Sequence, residues 1–456
     1  MNSILKPYPE YNQVDASWLD KIPSHWKCEK LGMNFIERRT KVSDKEYQPL
    51  SVTKKGVVPQ LETAVKSNDG DNRKLVIKGD FVINSRSDRK GSSGVSKLDG
   101  SVSLINIVLE PRGINPKYIH YLLKSNDFIE EYYRNGRGIV ADLWTTRYSE
   151  MRNILIPIPP KEEQETIANI LDNKVFKINK LIKSKNKQIQ LLKEQKQAVV
   201  NNAVTKGLKP NVKMKPSGVD WLGDIPDTWT IIPLRQILSP VSVKNRPDLP
   251  LLSVVREKGV IVRDIENREE NHNFIPDDLS GYKVVKNGQF AMNKMKAWQG
   301  SYGVSKYEGI VSPAYYIFDL NFDNIDYFHY AIRSKVYVNF FAQASDGIRV
   351  GQWDLSLQKM KEIPFIIPTK EEQKEIVEYI PKIFRSIEKA IEDIEQEIKL
   401  VEEYKAALIS NIVTGKLDVR NISVDIDNDK IKNYQSYKDE GDEWCLQIQG
   451  RPDLKI

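Results

Sequence analysis

The feature that most constrains the fold of this chain is an internal repeat. The sequence KEEQ occurs at residues 161–164 and again at residues 370–373, an offset of 209. The same offset relates GVSK at 94–97 to GVSK at 303–306, and near the start of each copy an offset of 203 relates WLDKIPSHW to WLGDIPDTW. An offset held over so many matching positions predicts a tandem duplication, in which each copy is a globular part followed by a charged segment.

Length and charge limit what the two copies can be. The chain has 456 residues, too many for one ordinary core, and 69 Lys plus Arg against 62 Asp plus Glu give a net charge of +7. A mildly basic chain permits a polyanionic partner without requiring one. The two cysteines cannot by themselves form a structural zinc cluster or a secreted disulfide framework. Without a run of apolar residues long enough to span a membrane or to act as a secretion signal, we expect a cytoplasmic protein.

The two charged segments have the pattern of coiled-coil helices. Apolar side chains alternate at spacings of four and three from Leu171 to Ala203, and again from Ile380 to Ile412. A strict period of 3.5 predicts a coiled-coil seam, whereas a helix packed on a globular core drifts at 3.6. Lys196 and Lys405 occupy the same position of the two repeats, as a polar interruption that can fix the alignment of the helices.

The ends of these helices are also marked in the sequence. Thr369 followed by Glu372 has the spacing of a capping box. Gly207 and Gly415 follow the last seam residues and suit helix ends. Pro381 predicts a kink near the start of the second helix.

Charge and chain connectivity predict how the helices pair. Residues 161–206 hold ten Lys and five acids, whereas residues 370–416 hold eight Lys plus Arg and eleven acids. Each helix therefore repels its own kind more than it repels the other, which favours pairing within one chain. Residues 207–368 must connect the end of the first helix to the start of the second, and the termini of a single compact domain usually lie close together. We therefore expect the helices to run antiparallel. A homodimeric coil, or the solvated faces of ordinary helices, remain as alternatives.

The two globular parts show no known catalytic constellation. Alternating apolar runs and a helical stretch at 116–133 predict an α+β fold, with neither a Walker loop nor a glycine-rich cofactor loop. His120 and His329 have no second ligand at metal spacing, so we interpret them as packed or hydrogen-bonded helix residues. Trp144 and Trp353 are interpreted as core anchors rather than base-stacking groups.

One pair of matched loops differs in content while its frame repeats. The first reads NSRSDRKGSSG from Asn84 and the second reads NKMKAWQGSYG from Asn293, as expected for a reader of two different sequences. Arg, Lys and Gln side chains can bond base edges or phosphates. The candidate DNA-binding residues of these loops are Arg86, Arg89, Lys90, Lys294, Lys296 and Gln299. Two glycine-rich strings add Arg137 and Arg349 as weaker candidates, at turns whose backbone N–H groups could also meet phosphate. Solvated surface loops are the alternative.

With these features in view, residues 1 to about 418 resemble the specificity subunit of type I restriction-modification systems. The resemblance rests on two variable domains, two repeated helices, the paired WLxxIPxxW openings, and the strings IPPKEEQ and IPTKEEQ. It implies two similar globular target-recognition domains separated by two long helices that form an intramolecular antiparallel coiled coil. The corresponding organisation is target-recognition domain 1 at 1–160, a first spacer helix at 161–210, target-recognition domain 2 at 211–369, a second spacer helix at 370–418, and an acidic C-terminal tail at 419–456.

The resemblance also implies partners and a function. Each domain would read one half of a split target in double-stranded DNA. The helices would dock two modification (methyltransferase) subunits, and restriction/translocase subunits would join afterwards. We therefore expect no catalysis and no cofactor in this chain, with S-adenosylmethionine bound by the methyltransferase subunits. Two alternatives are a coiled-coil interaction scaffold without DNA specificity and an unrecognised metal-dependent nuclease.

The tail departs from the family pattern. Residues 425–443 hold seven acids against three Lys. An acidic extension of this kind counts against a simple circular arrangement in which the C-terminus closes back on the first domain.

Overall fold

The computed structural model describes residues 6–61, 70–138, 144–219, 222–256, 258–264, 275–347 and 353–422. The chain divides into two compact units. Unit 1 comprises Met1–Lys185 and Gln396–Ile456, and unit 2 comprises Asn186–Glu395. Each unit therefore contains one globular part and a portion of both long helices.

Unit 1 is built on a four-stranded antiparallel sheet with the strand order 93–95, 81–84, 106–111, 35–37. The central strand Phe81–Asn84 is buried at all four positions, because the sheet is covered on both faces. The strands of unit 1 are Tyr11–Ala16, Leu19–Pro23, Lys27–Lys30, Phe35–Glu37, Lys41–Val42, Leu50–Thr53, Gly56–Pro59, Arg73–Val76, Phe81–Asn84, Ser93–Val95, Gly100–Val102, Asn106–Pro111 and Leu155–Ile158.

Two layers cover this sheet. On one face, the hairpin 50–53/56–59 and a three-stranded sheet of 100–102, 73–76 and 41–42 enclose a small aliphatic core. On the other face, helical packing fills the main core, where Phe81 and Ile83 meet Tyr118 and Phe128. The short helices of unit 1 are Leu31–Asn34, Pro116–Leu123, Asn126–Arg134 and Tyr148–Met151.

Unit 2 repeats this architecture. Its four-stranded sheet has the order 238–241, 315–320, 290–293, 302–304, and Ala291 pairs with Ile317 as Val82 pairs with Val108 in unit 1. The strands of unit 2 are Met214–Pro216, Asp224–Pro226, Thr230–Pro233, Leu238–Val241, Leu252–Val255, Gly259–Val262, Lys283–Val285, Phe290–Asn293, Tyr302–Val304, Gly309–Val311, Tyr315–Leu320, Ser345–Asp346, Asp354–Leu355 and Pro364–Ile367. Its short helices are Ile325–Ile332, Lys335–Gln343 and Leu357–Lys361. The matched registers confirm the duplication at the level of the fold.

The two long helices are Lys161–Lys206 and Lys370–Val413. Thr369 caps the second, because its Oγ1 accepts the backbone N–H of Glu372 at 3.3 Å. The predicted glycine ends are confirmed: Gly207 and Gly415 follow the helices with φ of +77° and +75°. The second helix continues through Pro381, so this residue does not end it.

Within each unit the long helices pair antiparallel, as predicted. In unit 1, Lys185 forms an ion pair with Glu397, and the Lys405 ammonium lies 3.3 Å from Asn179 Oδ1. As the residue number rises along the first helix, the number of its partner falls, which is the signature of antiparallel pairing.

The same direction holds in unit 2. Lys196 forms an ion pair with Glu388, and Lys209, just past the helix end, approaches Glu375 at 3.3 Å. The cations come from the chain segment with the positive helix and the carboxylates from the negative helix, as the charge difference predicted. Lys196 also lies 4.1 Å over the ring of Phe384, so this polar seam residue is satisfied across the helix pair.

The chain that follows the second helix packs on the N-terminal segment of unit 1. The N–H of Asp418 donates to the carbonyl of Lys6 at 2.7 Å, and the Arg420 guanidinium lies 4.9 Å over the Tyr8 ring. Val419 is fully buried in the unit 1 core. The expectation that the tail counts against circular closure is therefore wrong for the chain up to residue 422. Apolar burial and backbone pairing hold this segment against the first domain. Residues 423–456 lie outside the described part.

Candidate nucleic-acid interface

The first candidate residues lie where the central strand of unit 1 ends. Strand Phe81–Asn84 leads into a 3₁₀ turn at Ser87–Arg89. The side chains of Arg86 and Arg89 are 47% and 68% exposed, and both approach Asp88, at 3.5 and 3.7 Å. Two guanidinium groups thus share one carboxylate, which leaves a net positive charge on this turn.

Arg137 joins this surface through the backbone. Arg137 and Thr145 exchange both of their backbone hydrogen bonds, at 3.1 and 3.0 Å. Thr145 also forms a bridge with Arg86. The structure therefore brings together two arginines that the sequence placed in separate motifs.

Lys90 faces a different environment. Its ammonium lies 2.6 Å from Glu130 Oε2. The two residues border a cavity of about 560 Å³ that Asp127 and Glu131 also line. These carboxylates compensate the charge of Lys90, so Lys90 is a weaker candidate for a phosphate contact than the arginines.

A second cavity of unit 1, about 510 Å³ in volume, lies beside Arg86. Lys74 and Arg147 line it together with Glu37, and their charges make it cationic. Sequence reasoning missed Lys74 and Arg147 because neither belongs to the variable loop. The repeat itself held a signal for Lys74, since Lys283 occupies the same place at the offset of 209.

Unit 2 has the same frame with different side chains. In unit 1, Thr146 donates its N–H to the backbone carbonyl of Ser85 at 3.0 Å. In unit 2, Leu355 donates its N–H to the backbone carbonyl of Lys294 at 3.0 Å. The offset of 209 then aligns four unit 1 cationic candidates with uncharged or acidic residues. Met295, Trp298, Gln299 and Asp346 stand where unit 1 has Arg86, Arg89, Lys90 and Arg137. The two surfaces differ in charge although their backbones match.

The cationic candidates of unit 2 are unequal. Lys294 is one-third exposed, and its ammonium lies 3.1 Å from Asp354 Oδ2. Lys296 is exposed, whereas Gln299 is half-buried at the end of a 3₁₀ turn. Arg349 lies outside the described residues.

The interpretation of Trp144 as a core anchor was wrong. Trp144 is 38% exposed and lines the acidic cavity of unit 1. Trp353 is half-buried and packs against Trp298 with ring centroids 5.3 Å apart. The core of each unit is filled instead by other aromatic residues, among them Tyr118 and Tyr327, which leaves these tryptophans near the surface.

The two matched histidines are structural, as expected. The Nδ1 atoms of His120 and His329 accept the backbone N–H groups of Val95 and Val304, each at 3.3 Å. Burial, together with the nearby charge of Arg333, lowers the pKa of His329 to about 4. An imidazole that is neutral and bonded to the backbone fixes the helix against the sheet.

The described part of the chain contains neither a metal-ligand cluster nor a membrane-spanning helix. No group of three or more His, Cys, Asp or Glu side chains in that part of the chain could hold a metal ion. Within the same residues, no helix is both long and apolar enough to cross a membrane.

A family model described as the type I restriction modification DNA specificity domain matches residues 27–191 and 282–400. These two matches fall in the two copies of the repeat. Together they cover more than half of the chain.

Individual relatives agree with this match. The type I restriction enzyme MjaVIII specificity subunit of Methanocaldococcus jannaschii is 25% identical over 455 residues, covering 92% of this chain and 99% of that protein. The type I restriction enzyme EcoDI specificity subunit of Escherichia coli is 21% identical over 353 residues, covering 72% and 76%. A solved structure from work on complex assembly and conformational transition of the type I R-M system has a TM-score of 0.58 at 13% identity, covering 87% of this chain and 99% of that one. This last likeness concerns the fold.

Proposed function

Because this chain belongs to the type I restriction-modification DNA specificity family, we propose that it reads a bipartite target in double-stranded DNA with one domain for each half-site. Its long helices dock methyltransferase subunits, which bind S-adenosylmethionine and carry out the methyl transfer. Restriction/translocase subunits join the same complex. The chain itself contributes recognition and spacing, and no catalytic group.

The observation that carries this proposal is the contrast between a repeated frame and unlike surfaces. Val82 and Ala291 have the same sheet register, whereas Arg86 is replaced by Met295 at the end of the same strand. A protein that reads two different half-sites needs this combination, because sequence is read by side chains at base edges. A scaffold that binds the same partner twice would have matching surfaces.

The chemistry of each surface suits a different kind of contact. In unit 1, Arg86 and Arg137 can each donate two hydrogen bonds to the edge of a guanine. In unit 2, Lys296 and Gln299 offer one cation and one amide, beside the surface-near pair Trp298–Trp353. We therefore propose that the two half-sites differ in base composition.

Docking on the helices is supported by exposed apolar side chains. Leu181, Leu400 and Tyr404 of unit 1 project from the paired helices into solvent, and so does Leu191 of unit 2. Exposed apolar groups on a helix pair are typical of a surface that a protein partner covers. The same observation favours the alternative scaffold function.

Domain exchange tests the proposal. Methylated bases are mapped in cells that carry this subunit with its modification subunits, before and after residues 1–160 are replaced by those of a relative. We expect one half of a split motif to change while the other half and the gap stay the same. A motif that changes in both halves, or methylation without a split motif, would contradict one domain per half-site. Failure of the purified complex to retain DNA would favour the scaffold.

A further inference from the structure

Each unit carries a pair of lysines that the variable loops do not include. In unit 1, Lys41 and Lys74 are directly opposite each other on two antiparallel strands. In unit 2, Lys244 and Lys283 occupy the same places, at the offsets of 203 and 209. A matched backbone hydrogen bond holds both pairs. Leu75, which follows Lys74, donates its N–H to the carbonyl of Thr40, which precedes Lys41, at 2.9 Å. In unit 2, Val284 donates to the carbonyl of Val243 at 2.8 Å.

The inner lysine of each pair is held in the same way. Lys74 donates from its ammonium to the carbonyl of Asn106 at 2.8 Å. Lys283 donates to the carbonyl of Tyr315 at 2.6 Å, and Tyr315 is the counterpart of Asn106. The other lysine of each pair, Lys41 or Lys244, is exposed. Each site thus presents one anchored ammonium and one exposed ammonium on the same face.

In the absence of a bound anion, these lysine pairs destabilise the folded state. Like charges directly opposite each other on neighbouring strands repel, and burying part of a lysine removes hydration. Burial first, and then the charges of Lys244 and Lys294, lower the pKa of Lys283. Among the described residues, no carboxylate lies within 4.0 Å of either Lys244 or Lys283. A bound anion would relieve the repulsion.

We propose that the Lys41–Lys74 and Lys244–Lys283 pairs each bind a phosphodiester of the DNA backbone. This inference rests on the proposed function and adds a division of labour within each unit. Residues that match in both copies contact what the two half-sites share, which is the backbone. Residues that differ contact what the half-sites do not share, which is the base sequence.

The two sites differ in strength because of one residue. The Lys74 ammonium lies 3.4 Å from Glu37 Oε1, so a carboxylate already compensates part of its charge. In unit 1, Glu37 pairs with Leu109 on the neighbouring strand. The corresponding pair in unit 2 is Pro240 and Phe318, so a proline stands in place of the carboxylate. The unit 2 site therefore holds a phosphate more tightly than the unit 1 site.

The test uses the assembled complex with its modification subunits and two duplexes, the mapped target and a scrambled one. Replacing Lys283 by Met, which keeps an apolar stem, should weaken binding of both duplexes by the same factor. It should also reduce the slope of log affinity against log salt by about 1. Lys213→Met is the matched control, because this exposed lysine of unit 2 lies outside both long helices and 3.9 Å from the Asp227 carboxylate. Its salt slope should stay at the wild-type value.

A second variant should strengthen binding, which partial misfolding cannot imitate. Glu37→Gln removes the carboxylate beside Lys74, so we expect tighter binding of both duplexes and a steeper salt slope. A wild-type slope in Lys283→Met, a loss confined to the mapped target, or weaker binding by Glu37→Gln would overturn the phosphate site while leaving the proposed function intact. Failure of the wild-type complex to bind its target would instead refute the proposed function.

Discussion

At the scale of single residues, buried polar groups show how the repeated frame is held. His329 is neutral in the fold because burial and the nearby positive charges of Arg333 and Lys306 lower its pKa to about 4. The pKa of an unfolded histidine is about 6.5. The unfolded chain therefore binds a proton between these values while the folded chain does not. The contribution of His329 to stability is complete above about pH 6.5 and is lost as the pH falls towards 4.

We expect His329→Gln to weaken this pH dependence. A glutamine can still accept the N–H of Val304, but it binds no proton. The free energy of unfolding of the wild-type chain should fall between pH 6.5 and pH 4 by more than that of the variant, with a difference on the order of 3 kcal/mol. Urea denaturation of both proteins at several pH values measures this difference, with pH 7.5 as the reference. An equal pH dependence of the two proteins would show that His329 has the same pKa in the folded and unfolded chains.

At the scale of elements, the long helices depend on an apolar seam with few polar interruptions. Leu408 is 4% exposed and belongs to the same core cluster as Leu171 of the first helix. Leu400, two turns earlier on the same helix, is 54% exposed. The two leucines differ in burial while sharing helix and side-chain type, so they separate the effect of packing from the effect of helix propensity.

Leu408→Ala should destabilise unit 1 by about 2 to 5 kcal/mol, because it removes buried methyl groups and leaves a cavity. Leu400→Ala should change stability by less than about 0.5 kcal/mol. Denaturant unfolding of both variants, followed by circular dichroism at 222 nm, distinguishes them. Similar losses in the two variants would mean that the seam is not the source of stability. A loss of partner binding in Leu400→Ala alone would support docking at the exposed face.

At the scale of the whole molecule, matched glycines at the ends of the two long helices pack against the globular parts. Gly207 lies against Trp229 of unit 2, where a Cβ would come within 3.3 Å of the indole. Gly415 lies against Trp26 of unit 1, where a Cβ would lie 3.1 Å from the indole and would overlap Pro23. In each unit the end of a long helix packs on the tryptophan near the start of the globular part. Both units are thereby held by the same kind of contact.

Gly415→Ala should loosen the closure of unit 1. The substitution combines a left-handed backbone with a steric overlap, so it should cost about 1 to 3 kcal/mol more than Gly113→Ala. Gly113 is the matched control, since its φ is +69° and no atom lies within 4 Å of the added Cβ. Hydrogen exchange of residues 6–30 and 408–422 measures the opening. Equal protection in the two variants would show that the tight contact at Gly415 is not needed for closure.

The sequence by itself determined the duplication, the two long helices and their antiparallel pairing. These features follow from spacing along the chain: a period of 3.5 specifies a coiled-coil seam, and helix charge specifies its partner. Capping at Thr369 and the ends at Gly207 and Gly415 are likewise local, because they depend on one or two residues.

Only the tertiary structure decided which candidate side chains share a surface. Arg86 and Arg137 meet because both pair with the strand-like segment at Thr145, whereas Lys90, four residues from Arg86, turns towards Glu130. Lys74 was missed although it lies beside the same cavity. The physical reason is that strand pairing brings together residues far apart in the chain, and the direction of each side chain depends on that pairing. No spacing rule along the sequence contains that information.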